Sequence, residues 1–199
     1  MCRHKVEGDL GFRSLRDFNL VFLGKQEWCL LTQPSSLVAR IYKARYYSRG
    51  SFLTATVGEY PSFIWRSIME AQPLVLSGIQ RSIGAGSTVS ILHDPWLNCV
   101  ENPYVITSHL ALEGRTVNAL FEVNNQCWDV ELIRDIFKPR DQQLILSIQL
   151  SSNSKDDFWA WKFDTYGVYT VKSACKRLGE LKGYNNHHIY KLESPPSLP

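Results

Sequence analysis

The sequence predicts an α+β fold, with N-terminal helices, a helix and β-hairpin at the centre, a second β-hairpin and short helix further on, and a disordered tail. Two changes of hydrophobic period and the placing of proline and glycine predict it. Ahead of Pro73 the apolar residues Ile64, Trp65, Ile68 and Ala71 recur at helical spacing. After Gly78 they alternate, with Ile79 and Ile83 before Gly84-Ala85-Gly86 and Val89 and Ile91 after it. Alternation returns near Phe158, ahead of a second turn sequence. At 199 residues, 44% of them hydrophobic and 12% aromatic, the chain can bury one ordinary core or two small ones, which excludes global disorder.

Residues 1–12 are polar and glycine-containing, which suits a loop or extended arm. Ser14-Leu15-Arg16-Asp17 has the spacing of a capping box. The helix it opens is expected to turn Phe18, Val21, Phe22, Trp28 and Leu31 toward a partner, to leave Lys25, Gln26 and Glu27 outside, and to stop at Pro34. A second helix from Ser36 is expected to place Leu37, Ile41 and Ala44 on one side and Arg40, Lys43 and Arg45 largely on the other, with Tyr42, Tyr46 and Tyr47 between them. Pro61 and Ser62 start a third helix whose Ile64, Trp65, Ile68 and Ala71 face inward, and Pro73 should end or kink it. The hairpin then covers Ile79 to His93, where glycines supply the positive φ of its turn, and Trp96 closes the apolar face.

Residues 98–128 read as irregular, with turns at Asn102-Pro103 and Glu113-Gly114 and a short helix or strand at Val117 to Phe121. Trp128, Leu132, Ile133 and Ile136 have helical spacing, and Leu144, Ile145, Ile148 and Leu150 suggest a further short helix running into an extended piece. Beyond a polar break at 151–157, Trp159, Trp161 and Phe163 form one face of a strand. Asp164-Thr165-Tyr166-Gly167 turns it, and Val168 to Val171 returns. The implied segments are a helical connector with the central hairpin (1–98), an irregular connector (99–150), an aromatic hairpin (151–180) and the tail (181–199).

Several of these runs resemble one family. Ser62 to Ile68 (SFIWRSI), the Ile83-Gly84-x-Gly86 turn and Val89 to Leu97, ending DPWL, are similar to the segment downstream of the polymerase domain in plant LINE-type (non-LTR) retrotransposon reverse transcriptases. Leu10 to Arg13, Phe18-Asn19, Lys25 to Trp28 and the Ser36 to Tyr46 stretch look like the same family. Gly167 to Ala174 resembles the opening of its reverse-transcriptase zinc-binding domain. The resemblance implies a connector from an RNA-directed DNA polymerase polyprotein, with the polymerase aspartates upstream and the zinc ligands and RNase H carboxylates downstream of the matched part. Two departures stand out: Gln80-Arg81 replaces an aromatic residue before the turn, and Leu92 replaces a tryptophan. Each removes buried aromatic area worth about a kcal/mol or more, as expected of a decaying or repurposed copy.

Chemistry of its own is not expected. Asp156-Asp157 reads as solvated charge at a polar break, and His93 and Asp94, adjacent on a strand, point to opposite faces, so Asp94 suits a turn-former that caps a backbone N–H. Cys2 with His4, and His187 with His188, have too few partners to bind zinc. The reading is therefore no catalytic residue, no metal and no cofactor. Five scattered cysteines without a C-x-x-C pair imply neither a disulfide framework nor a zinc knuckle, and point to a reducing, intracellular compartment. No signal peptide, transmembrane segment or membrane partner is indicated. The net charge of +3 decides nothing by itself.

The one candidate site is nucleic-acid-binding: Arg40, Lys43, Arg45 and Arg49 with Tyr46 and Tyr47 beside them, a set able to hold phosphates and stack bases of RNA or single-stranded DNA, weakly and without sequence preference. The same residues suit a solvated helix face with tyrosines packed on the core. Three functions stay open: a catalytically silent relic of the connector, a co-opted nucleic-acid-binding module, and a protein-interaction scaffold.

Overall fold

The computed structural model describes residues 14–123, 125, 127–150 and 156–192, with side chains to 183. The fold is α+β: helices α1 (Leu15–Thr32), α2 (Leu37–Tyr46), α3 (Phe63–Leu76), α4 (Val130–Ile136), α5 (Pro139–Leu146) and α6 (Val171–Leu192), with strands β1 (Ile79–Ser82) and β2 (Phe158–Trp161). The chain forms two compact units, one of residues 1–78 with 163–199 and the other of 79–162, so the breaks expected at 98 and 150 do not coincide with their limits. The Leu10 to Arg13 motif lies outside the described residues.

In the first unit α1 packs against α3 and α6. Ser62 caps α3 by accepting from Trp65 N at 3.2 Å, and the helix buries Trp65, Ile68, Ala71, Leu74 and Val75. Ile64, expected to face inward, is exposed instead. Pro73 does not end this helix. It runs on to Leu76, because burial of Leu74 and Val75 offsets the hydrogen bond that proline cannot donate. Around Trp65 gather Phe52, Tyr42, Tyr46 and Tyr47, and Gln72 Nε2 donates to the carbonyls of Phe52 and Ala55 at 3.3 and 3.2 Å. The capping box expected at Ser14 does not form, since its side chain caps nothing.

The second unit closes differently from expectation. Neither local hairpin forms. β1 pairs antiparallel with β2, in the register Ile79 with Trp161 and Ser82 with Phe158. The other edge of β1 donates Arg81 N–H to the Pro95 carbonyl at 2.8 Å. Val89 and Ile91 are buried as their alternation demands, but they bond to Val117 and Arg115, around a single bridge between Ser90 and Thr116. The reason is polar: the loop between β1 and Val89 spends its amides on Asp157 instead of on a hairpin ladder. Gly86 has φ 70° there, and a Cβ would stand 2.8 Å from Asn118 N, so this position needs glycine.

Trp96 is the plug expected of it, buried, with its indole N–H donating to the Ile91 carbonyl at 3.0 Å. It stacks on Trp128 at 6.1 Å, and Ile133 from α4, Phe137 just after it and Ile145 from α5 join that core, with Leu92 at its margin. Short 3-10 turns at Leu110–Leu112 and Val117–Leu120 interrupt the irregular stretch.

The expected turn at Asp164 exists, with Gly167 N–H donating to the Asp164 carbonyl at 3.1 Å, but no return strand follows it. Thr170 Oγ1 accepts from Ser173 N at 3.2 Å and so caps α6, which starts at Val171 and reaches Leu192, into the stretch read as a disordered tail. Thr170-x-x-Ser173 was a capping signal available in the sequence.

Candidate nucleic-acid interface

α2 is set by Ser36, whose hydroxyl accepts from Ala39 N at 3.2 Å, and by Lys43 and Arg45 in a last turn where cations suit the helix dipole. Arg40, Lys43, Arg45 and Arg49 are all exposed. The chain carries no Asp or Glu between Glu27 and Glu59, so this segment's charge is of one sign. The structure thus presents the four predicted cations to solvent.

The two tyrosines are placed otherwise. Tyr46 lies flat on Trp65, ring centres 4.6 Å apart and planes 3° from parallel, and its phenol donates to Ser62 Oγ at 2.9 Å while accepting from Ser62 N at 3.1 Å. Hydrogen bonding with the Ser62 hydroxyl holds this phenol below its ordinary pKa. Tyr47 stacks on Trp65 at 6.0 Å and meets Phe52 edge-on, and burial raises its pKa. Both belong to the aromatic core, leaving Arg45, 5.4 Å above the Tyr46 ring, as the contact between the cations and that cluster.

The face of α2 that meets the core is also rotated from expectation. Ala39 is buried, with Tyr42 and Tyr46 beside it, whereas Leu37 and Ile41 are 69% and 55% exposed. Side-chain volume explains the choice: three tyrosine rings cover Trp65 better than two aliphatic side chains would.

Carboxylates that could have held a metal are occupied. Asp157, read as solvated charge, accepts from Gly84 N and Gly86 N at 2.7 Å, and from Thr88 N and Oγ1 at 2.8 and 2.9 Å. Partial burial opposes its ionisation, yet these donors outweigh it and hold the carboxyl below its usual range. Arg81 braces the loop, donating to Thr88 Oγ1 at 2.6 Å and lying 4.7 Å above the Trp159 ring. Asp94 accepts from Ser90 N at 2.7 Å, the capping role its sequence predicts; burial raises its pKa against the pull of that bond and of Arg81.

Asp141 was not singled out by sequence. It is 0% exposed and accepts from Ile106 N, Thr107 N and Thr107 Oγ1 at 3.0, 2.8 and 2.6 Å, with Arg140 at 2.9 Å on its other oxygen. Pro139-Arg140-Asp141 at a helix start was the available signal, but nothing in it names residues 34 and 35 positions away. Among the described residues no group of three or more His, Cys, Asp and Glu side chains could hold a metal ion. The Cys2–His4 and His187–His188 pairs lie outside the described side chains.

Glu27, expected at the surface, is 0% exposed, and neither of its carboxyl oxygens has a hydrogen-bond partner. Burial pushes its pKa up to about 9, so it is protonated at neutral pH. Its neighbour Lys25 is likewise turned inward, donating to the Tyr169 carbonyl at 2.9 Å, and Tyr169 donates to the Val21 carbonyl at 3.0 Å, joining α1 to the approach of α6.

No protein-family model matches this sequence, and no solved structure matches it. It is similar to an uncharacterized mitochondrial protein of Arabidopsis thaliana, 37% identical over 98 residues. That match takes in 49% of this chain and 64% of the relative, so the chain spans less than two thirds of the relative's length.

Proposed function

We propose that this chain is a non-catalytic, retroelement-derived fragment, corresponding to the connector between polymerase and zinc-binding domains, whose retained capacity is weak binding of RNA or single-stranded DNA through α2. The motifs from Ser62 to Leu97 and from Gly167 to Ala174 support the origin, and likeness to a plant mitochondrial protein is compatible with it. The absence of catalysis is supported by the employment of Asp94, Asp141 and Asp157 as acceptors for backbone amides, which leaves them poorly suited to the paired-metal chemistry of nucleotidyl transfer.

The observation that carries the binding reading is the exposed set Arg40, Lys43, Arg45 and Arg49 in a segment without acidic residues. With Tyr46 and Tyr47 committed to Trp65, contact is to phosphates and not to bases, and sequence preference is absent. Three or four phosphate contacts on a single strand give a log–log salt slope of about −2 to −3. Arg40→Ala/Lys43→Ala should lower affinity and flatten that slope by about one to two units with the fold intact. Unchanged affinity and slope would reduce this surface to a solvated helix face. Magnesium- or manganese-dependent primer extension or RNA–DNA hybrid cleavage by the purified protein, abolished by replacing one aspartate, would overturn the non-catalytic reading.

A further inference from the structure

The exposed side of α2 carries more than charge. Leu37, Ile41 and Ala44 follow one another at i, i+4 and i+7, so they form a single line along the helix, opposite the buried Ala39 and the stacked Tyr42 and Tyr46. Arg40 flanks this ridge on one side; Arg45 and the exposed Val38 flank it on the other. Tyr60 and Phe63, both more than 80% exposed, bracket Ser62, which Tyr46 ties to the end of the same helix. The helix is thus amphipathic in an unusual sense: its aromatic side is satisfied within the fold, and its aliphatic, cationic side faces outward.

Nucleic acid would use the arginines and leave Leu37 and Ile41 in water. A second copy of this chain would bring like charges together. A coiled-coil partner needs several heptads, whereas the ridge from Leu37 to Ala44 is about 10 Å long. One partner uses both components without register or groove: an anionic phospholipid surface, where aliphatic side chains enter the acyl boundary and guanidinium groups meet lipid phosphates. We infer that α2 seats this protein on anionic bilayer surfaces through Leu37 and Ile41, with Arg40 and Arg45 holding the headgroups. This goes beyond the nucleic-acid reading and does not depend on it. It concerns a surface only, since no helix among the described residues is long and apolar enough to cross a membrane.

The test is flotation of the full chain with vesicles of phosphatidylcholine alone or mixed with phosphatidylglycerol. Wild type should float with the mixed vesicles and stay behind with the neutral ones. Leu37→Ser/Ile41→Ser should weaken binding to mixed vesicles at least about tenfold, and Arg40→Gln/Arg45→Gln about thirtyfold, each with wild-type circular dichroism. A conservative Leu37→Ile/Ile41→Leu variant should float as wild type does, and the serine pair should keep the salt-dependent RNA binding of wild type. Failure of wild type to float with mixed vesicles overturns the inference. So does flotation of the serine pair at wild-type affinity, which would make the attraction purely electrostatic. Loss of RNA binding on its own, with flotation unchanged, leaves the bilayer inference standing and removes the nucleic-acid reading.

Discussion

The two units of this chain solve the problem of buried polarity in opposite ways. In the unit of residues 79–162, the carboxylates of Asp141 and Asp157 gather backbone amides and hydroxyls from loops far along the chain, so irregular backbone is tied down where helices and ladders are short. In the other unit, Trp65 and its surrounding rings supply the cohesion, and the one deeply buried carboxyl among the described residues, Glu27, has no hydrogen-bond partner. Polar clamps therefore specify the first arrangement. Apolar area stabilises the second, at the cost of a neutral acid in its interior.

The sharpest break of this comparison is Asp141→Ala. It leaves the Thr107 hydroxyl and the Ile106 and Thr107 amides without their acceptor, strips Arg140 of its carboxylate partner while its bonds to the Tyr104 and Asn102 carbonyls stay, and should cost about 3–5 kcal/mol, read by urea denaturation. Hydrogen exchange should place the loss in residues 79–162; a change below 1 kcal/mol would mean that water replaces the clamp at little cost.

Glu27→Gln probes the opposite case. The folded carboxyl is raised to about 9 while the unfolded one keeps an ordinary value near 4.5, so between those limits the folded state holds the extra proton. The contribution of Glu27 to stability is full below pH 4.5 and falls as pH rises toward 9, by at most about 1.4 kcal/mol per unit. Denaturation of wild type at pH 5, 6.5 and 8 should show that decline, and the glutamine variant should show a flatter one. Parallel pH profiles would place Glu27 in contact with water.

Asp157→Ala should cost less than Asp141→Ala, about 1–3 kcal/mol, because the clamp on Gly84, Gly86 and Thr88 is only partly shielded from solvent. Faster exchange of the amides of β1 and β2 is the expected signature, since the clamp sits where those strands begin to pair. The smallest effect belongs to Tyr46→Phe, which keeps the stack on Trp65 and loses only the bonds to Ser62, about 0.5–1.5 kcal/mol in thermal or urea unfolding. A larger loss would show that the aromatic unit, too, relies on polar specification.

What the sequence determined by itself lies in local rules. Ser36 and Ser62 as helix caps, the burial of Trp65, Val89, Ile91 and Trp96, the Asp94 turn and the exposure of the α2 cations all follow from hydroxyls, period and charge within a few residues of one another. Partner choice does not. β1 could have paired with the Val89 stretch that its glycine turn favours, and only the fold decided for β2, since Asp157 reaches Gly84 from 73 residues away. The same holds for α2, whose period leaves two apolar faces open. Trp65 took the tyrosines and turned Leu37 and Ile41 to solvent, because a helix is rotated by whichever neighbour offers the larger complementary surface, and no spacing within ten residues records that neighbour.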